Sequence, residues 1–129
     1  MVNLQRVTFT GAQETTLATL YGKAMDSREP DSILGDRKAD KAVQRIDYDF
    51  DKLRMRRRDQ KSAAVRAKAY DGWVRRFLDR CSECTVLHLG CGLDTRVYRV
   101  NPASTVRWYD FDLPDVIELR RRLFPERRG

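Results

Sequence analysis

Residues 84–96 read CTVLHLGCGLDTR, and residues 106–116 read VRWYDFDLPDV. The first run predicts a strand over 85–89, a tight turn through Gly90 and Gly92, and a short helix from Thr95 capped by Asp94. Asn101-Pro102 ends that helix. Val106 to Phe111 predicts a second strand with two acids, Asp110 and Asp112, at its end. Pro114 then suits the first turn of a last helix. Strand, glycine turn, helix and strand in this order open a βαβ unit of the nucleotide-binding kind. The near-continuous apolar character of Val86, Leu87 and Leu89 predicts a parallel sheet covered on both faces.

The glycine turn suits a ligand for physical reasons. Without a Cβ, Gly90 and Gly92 let the backbone take unusual dihedrals and let a bound group approach closely. Asp110 lies 20 residues after Gly90, and Asp112 lies 20 after Gly92. That is the usual distance to the acid that accepts hydrogen bonds from ribose hydroxyls. The position three after Gly92 is Thr95, so the full dinucleotide fingerprint is absent and a nicotinamide dinucleotide site is disfavoured.

Upstream, the chain reads as helical covering. Residues 3–10 form a short arm anchored by Val7 and Phe9, and Thr10 with Gln13 suggests a capping box. Leu17, Leu20, Tyr21 and Ala24 share one helix face, and Arg28-Glu29-Pro30-Asp31 breaks the helix. Asp36 is placed to cap a second helix whose inner face is Ala39, Ala42, Val43 and Ile46. Tyr48 and Phe50 follow as packed aromatics. A third helix is expected over 60–80, with Ala63, Ala67, Tyr70, Val74, Phe77 and Leu78 as a continuous apolar stripe. In the last helix Val116, Leu119 and Leu123 face inward, and Arg120-Arg121-Arg122 fill the outer side.

The chain has 129 residues, 35% of them charged, with a net charge of +7. No run approaches the roughly 18 apolar residues of a membrane span, and the N-terminus lacks a signal-peptide core. A soluble, cytoplasmic protein without a membrane partner is expected. Three cysteines are expected to be reduced thiols. Cys81, Cys84, His88 and Cys91 have zinc-ligand chemistry. Their spacing spreads them along a strand and its turn, so no metal is assigned. His88, the only histidine, is expected to point from a buried strand without a catalytic role. Residues 52–61 are dense in charge, and the arginine run Arg54, Arg56, Arg57 and Arg58 reads as either a basic patch or a solvated connector, charge runs of this kind being usually the latter. A basic nucleic-acid-binding module is the alternative, and it lacks interleaved aromatics on a strand platform.

LHLGCGLDTR followed by WYDFDLPDV resembles motifs I and II of class I S-adenosylmethionine-dependent methyltransferases. More narrowly it resembles the leucine carboxyl methyltransferase family, which includes tetracenomycin-type O-methyltransferases. GAQETTL, DSREPDSILGD, RIDYDF and VRAKAYD fit the same family, so the resemblance runs from Thr10 to Phe124. It implies an α/β fold: a Rossmann-like sheet preceded by a helical cap, with residues 1–80 as cap and 81–129 as the start of the cofactor domain. It also implies S-adenosyl-L-methionine as cofactor. By motif match Gly90, Cys91 and Gly92 approach its methionine part, with Asp94 beside them. Asp112 holds the ribose hydroxyls, with Asp110 as second candidate, and Arg66 pairs with the cofactor carboxylate. The acceptor is a small molecule bearing a hydroxyl or a carboxylate, and nucleic acid is not expected as a partner. The family's sheet needs about twice this length. The chain is therefore expected to be an N-terminal half, truncated after the second strand and its helix, inactive alone and in need of a C-terminal half.

Overall fold

A computed structural model describes residues 3–127. Its order is β1 (Gln5–Arg6), a 3-10 turn at Gly11–Gln13, α1 (Glu14–Ser27), α2 (Arg37–Arg45), β2 (Ile46–Asp47), a second 3-10 turn at Phe50–Leu53, α3 (Arg57–Leu78), β3 (Thr85–Leu89), α4 (Arg96–Val100), β4 (Arg107–Phe111) and α5 (Pro114–Leu123). β1 pairs with β2, and β3 with β4, both in parallel. The fold is α/β. Leu87 stands opposite Tyr109 and Leu89 opposite Phe111, so these four side chains share one face of the β3–β4 ribbon.

The helical signals act as their chemistry requires. Leu17, Leu20 and Ala24 bury one face of α1, with Tyr21 partly buried beside them. Asp26, also on α1, turns back to accept bonds from the amides of Ile33 and Leu34, each 3.0 Å away, and from Ser32 Oγ at 2.8 Å. That carboxylate organises the loop the helix breaks into. Asp36 accepts from the Ala39 amide at 3.1 Å and caps α2, whose Ala39, Ala42 and Val43 are buried. Tyr21 stacks on Phe50 with ring centroids 5.1 Å apart. One core cluster joins Phe9, Leu17, Leu20 and Ala39 to Leu93, Val116, Leu119 and Leu123, so both ends of the chain feed one apolar interior. Arg45 donates to the Arg122 and Leu123 carbonyls at 2.9 and 3.0 Å, which ties α2 to the open end of α5.

Several expectations are corrected. Thr10 makes no side-chain capping bond, because a 3-10 turn intervenes before α1. α3 begins at Arg57, so part of the arginine run is its first turn, and Arg56 pairs with Asp59 there. The apolar stripe of α3 is buried at Ala63 and Ala67, but Tyr70 and Phe77 are exposed. β3 is not covered on both faces: Leu87 is 58% and Leu89 73% exposed. α4 starts at Arg96, and its cap, Thr95, makes no side-chain capping bond. The Asp94 carboxylate is drawn to cations instead. Arg120 is not on the outside of α5, being only 7% exposed. It follows Val116 by four residues and precedes Leu123 by three, so helical geometry turns it inward.

This distribution predicts a contrast. Leu17→Ala, in the filled core, should cost about 2–5 kcal/mol of stability in urea denaturation. Leu89→Ala, on the bare sheet face, should change it by no more than about 0.5 kcal/mol.

Candidate functional site

The turn after β3 is built around two glycines with positive φ, 62° at Gly90 and 53° at Gly92. A side chain at either position would strain the backbone. A Cβ at Gly92 would also meet Thr16 of α1 at 3.1 Å, whereas the space at Gly90 is open. Two groups hold the turn in place. The Asp112 carboxylate accepts from the Gly92 amide at 2.7 Å and, through its other oxygen, from the Leu113 amide at 2.7 Å. Arg120 donates from beneath to the Gly92 and Asp94 carbonyls at 3.3 and 2.6 Å. The Cys91 amide donates to the Phe111 carbonyl at 3.0 Å. The turn and the end of β4 are thus one bonded unit.

Above this turn lies a cavity of about 470 Å³ lined by residues of α1, α3, β3, the turn and α4. That size is in the range of small-molecule and cofactor pockets, ~300–1,000 Å³. Of the residues singled out from sequence, Arg66, Gly90, Cys91, Gly92 and Asp94 meet on its wall. Arg66 is exposed at the rim and makes no ion pair among the described residues. Asp112 sits behind the turn through its bond to Gly92. Asp110 lies elsewhere. Its carboxylate takes His88 Nδ1 and Trp108 Nε1, both 3.0 Å away, and Arg120 at 2.9 Å. It borders a second cavity of about 380 Å³ on the α5 side of the ribbon.

The pocket wall is strongly charged. Lys23 of α1, only 4% exposed, reaches within 3.4 Å of Asp94. Arg99 lies 3.0 Å from the same Asp94 oxygen, and Arg96 lies 3.1 Å from the other. That shared oxygen, Oδ1, receives no well-aligned hydrogen bond, so its attraction to Lys23 and Arg99 is electrostatic rather than directional. Asp71 of α3, almost wholly buried, takes both guanidinium edges: Arg99 at 2.6 and 2.9 Å and Arg96 at 3.0 Å. Asp36, having capped α2, uses its second oxygen for Thr95 at 2.7 Å and Arg99 at 3.0 Å. Arg96 also lies 2.9 Å from His88 Nε2 and over the Tyr70 ring. With Nδ1–H donating to Asp110, Nε2 is left to accept from Arg96, so both His88 nitrogens are engaged.

These partners set the protonation states. Burial alone would raise the Asp94 carboxyl, but Lys23, Arg99 and Arg96 outweigh it and hold the group well below the usual carboxylate range. Burial pulls the Lys23 ammonium below its ordinary value, with Asp94 opposing. Burial pushes the Cys91 thiol up to about 12, which leaves it protonated and inert at neutral pH. Among the described residues no three or more His, Cys, Asp or Glu side chains cluster as metal ligands, and no helix is long and apolar enough to cross a membrane.

Sequence reasoning missed Lys23, Asp71, Arg99 and Arg120. Their one available signal was position: Asp71 follows Ala67 by four residues and Lys23 follows Leu20 by three, each on an inward stripe.

The profile of the leucine carboxyl methyltransferase family matches residues 12–128. The tetracenomycin polyketide synthesis O-methyltransferase TcmP of Streptomyces glaucescens is 47% identical over 125 residues, covering 97% of this chain and 46% of that protein. The S-adenosyl-L-methionine-dependent methyltransferase dpfgK of Gibberella zeae is 37% identical over 130 residues, covering 94% of this chain and 44% of that protein. The chain therefore spans about half the length of these curated relatives. No solved structure matches it significantly.

Two measurements check the site. The lowered Asp94 value means that its stabilising contribution is full above the unfolded carboxyl value of about 3.9 and is lost as pH falls through the folded value. Asp94→Asn should remove that acid-side loss. At neutral pH it should cost on the order of 3–5 kcal/mol in urea denaturation, because Lys23 is left buried without its anion, and adding Lys23→Met should recover part of the cost. In native protein at pH 8, iodoacetamide should alkylate Cys81 and Cys84 while Cys91 stays unmodified until denaturant is added, as peptide mass mapping would show.

Proposed function

The chain belongs to the leucine carboxyl methyltransferase family, and we propose that it forms the cofactor-binding half-site of an S-adenosyl-L-methionine-dependent O-methyltransferase. In this reading β3, α4, β4 and α5 begin a Rossmann-like sheet, residues 1–80 are its helical cap, and 81–129 open the cofactor domain. The observation that carries the proposal is the cavity over the Gly90–Gly92 turn, with a rim cation, a buried cation and a carboxylate-braced backbone around it.

The residues present fit the cofactor's parts. Gly90 has open space where a Cβ would stand, so a methionine chain can lie against the backbone. Arg66 at the rim and Lys23 in the wall offer cations to its α-carboxylate. Each Asp112 oxygen already accepts one amide hydrogen and keeps a lone pair for a ribose hydroxyl. That favours Asp112 for the ribose over Asp110, whose oxygens are taken by His88, Trp108 and Arg120.

When bound, the cofactor supplies an electrophilic methyl group for in-line displacement. This chain's part is then to orient and desolvate. The turn fixes the methionine end of the ligand, and the α1 wall formed by Thr16, Thr19 and Lys23 excludes water; Asp112, behind the turn and outside the cavity lining, is assigned the ribose by its free lone pairs. A carboxylate acceptor needs no general base, whereas a hydroxyl acceptor does. His88 is the cavity's imidazole, and both of its nitrogens are engaged. The reading therefore assigns the chain cofactor binding, and it leaves the small-molecule acceptor, with any base, to a complementing C-terminal portion. Alone, the chain should bind cofactor weakly and turn over nothing.

Titration of the 129-residue chain with S-adenosylhomocysteine, followed by amide chemical shifts, tests this. Shifts should concentrate at Gly90–Gly92 and Leu113 with a Kd on the order of 0.1–1 mM. Asp112→Ala should weaken binding at least about tenfold. No shifts at millimolar ligand, or shifts confined to the second cavity, would overturn the assignment.

A further inference from the structure

Cys81-Ser82-Glu83-Cys84 is the junction between α3 and β3, and neither the core nor the cavity uses its thiols. Both cysteines are free and half-buried. A bend through Ser82 and Glu83 turns Cys84 back on Cys81. The Cys84 thiol donates to the Cys81 carbonyl at 3.5 Å, and the Cys81 thiol donates to the Glu83 carbonyl at 3.4 Å. The Cys84 thiol also lies within hydrogen-bonding reach of the Cys81 thiol. Four-residue turns bring their end Cα atoms within about 7 Å, and a disulfide needs about 4.4–6.8 Å. Cys91 stands apart. It is 3% exposed, and its thiol faces the Gly92 carbonyl at the other end of β3, about 17 Å of strand away.

The setting of the pair is distinctive. Burial, and after it the neighbouring Cys81 thiol, hold the Cys84 thiol above its ordinary value. The pair also lies just past the carboxyl end of α3, with the Cys81 amide bonded to the Leu78 carbonyl, where the helix dipole disfavours an anion. Dithiols with a stabilised thiolate, as at helix amino ends, make easily reduced disulfides. Here the setting is the opposite, so the disulfide, once closed, resists reduction.

We propose that Cys81 and Cys84 are a two-electron redox site, a dithiol that a low-molecular-weight disulfide such as oxidised glutathione closes into an intrachain bond, clamping the α3–β3 junction. Cys81 loses its proton and attacks one sulfur of oxidised glutathione. The S–S bond of the reagent breaks, and one glutathione leaves with the electron pair. Cys84 then loses its proton and attacks the Cys81 sulfur of the mixed disulfide, expelling the second glutathione. The Cys81–Cys84 bond is formed, the two protons end on the two glutathione thiolates, and two electrons have passed from the chain to the reagent. The clamp acts on three elements. α3 brings Arg66 and Tyr70 to the cavity wall, and β3 brings His88 and Leu89. The Cys84 carbonyl receives the Arg107 amide of β4 at 2.9 Å, and the Ser82 carbonyl receives the Thr105 hydroxyl. One short link thus joins α3, β3 and the start of β4, and closing a ring across it removes freedom from the unclosed chain. None of this needs the cofactor.

The 129-residue chain is reduced, freed of reductant and incubated with excess oxidised glutathione. The tryptic peptide of residues 81–96, which carries all three cysteines, is then read by mass spectrometry. The chain should lose about 2 Da without cross-linking to a second copy. Cys81 should be joined to Cys84, with Cys91 open to alkylation after denaturation. Amide exchange at Thr85 and Val86 should slow at least about tenfold on oxidation and recover with dithiothreitol. Cys84→Ser should stop at a stable glutathione adduct on Cys81. Thiols at 81 and 84 that both stay alkylatable in excess oxidant, glutathione adducts that persist on the unmutated pair, a bond to Cys91 or between two chains, or exchange unchanged by oxidation would each overturn the proposal.

Discussion

The largely buried Arg99 side chain, 10% exposed, is the constraint on which the arrangement depends. It takes Asp71 from α3, Asp36 from the start of α2 and Asp94 from the turn after β3, all within 3.0 Å. A charge this buried is costly to dehydrate, and only such complete pairing makes it tolerable. The three acids come from segments 58 residues apart at their extremes, Asp36 to Asp94. Satisfying one cation therefore fixes where two helices stand against the ribbon. Arg96 and Lys23 extend the same logic to the cavity wall, so the forces that place the helices also set the electric field in the pocket.

Arg120 does the corresponding work beneath. It spans Asp110 at the end of β4 and two carbonyls of the glycine turn. The paired acids near the end of β4 consequently divide. Asp110 turns inward to hold the scaffold, and Asp112 turns toward the turn. Alternation along a strand sends neighbours two apart to the same side. The division arises because Asp112 lies beyond the last strand residue, where the chain bends toward Pro114.

How much of this could be read in the residues follows from the range of each signal. Local rules worked: Asp36 capped α2, Pro114 opened α5, Asn101 closed α4 with a left-handed backbone, and the glycines took positive φ. The strand–turn–helix order around LGCGLDTR was legible for the same reason. What failed was long-range. An arginine triplet reads as solvent-facing, yet Arg120 is the only member of that triplet on the inner stripe, and nothing local announces the Asp110 that awaits it. An apolar strand reads as covered on both sides, but coverage is supplied by other elements, and none of the described residues covers Leu89. Asp94 reads as a helix cap because it precedes Thr95; Arg96 and Arg99 of the adjoining α4, together with Lys23 from distant α1, claim it instead.

The contact between Gly92 and Thr16 has a consequence for modular thinking about such folds. The glycine turn is shaped from outside as well as by its own dihedrals, since the first long helix stands against the spot where a side chain would grow. The helical segment that precedes the α/β motif is therefore a mould for that turn. Exchanging it between relatives as a cassette would carry a different surface against Gly92 and recast the loop. Recombination that respects this pair would have to move helix α1 and the turn together.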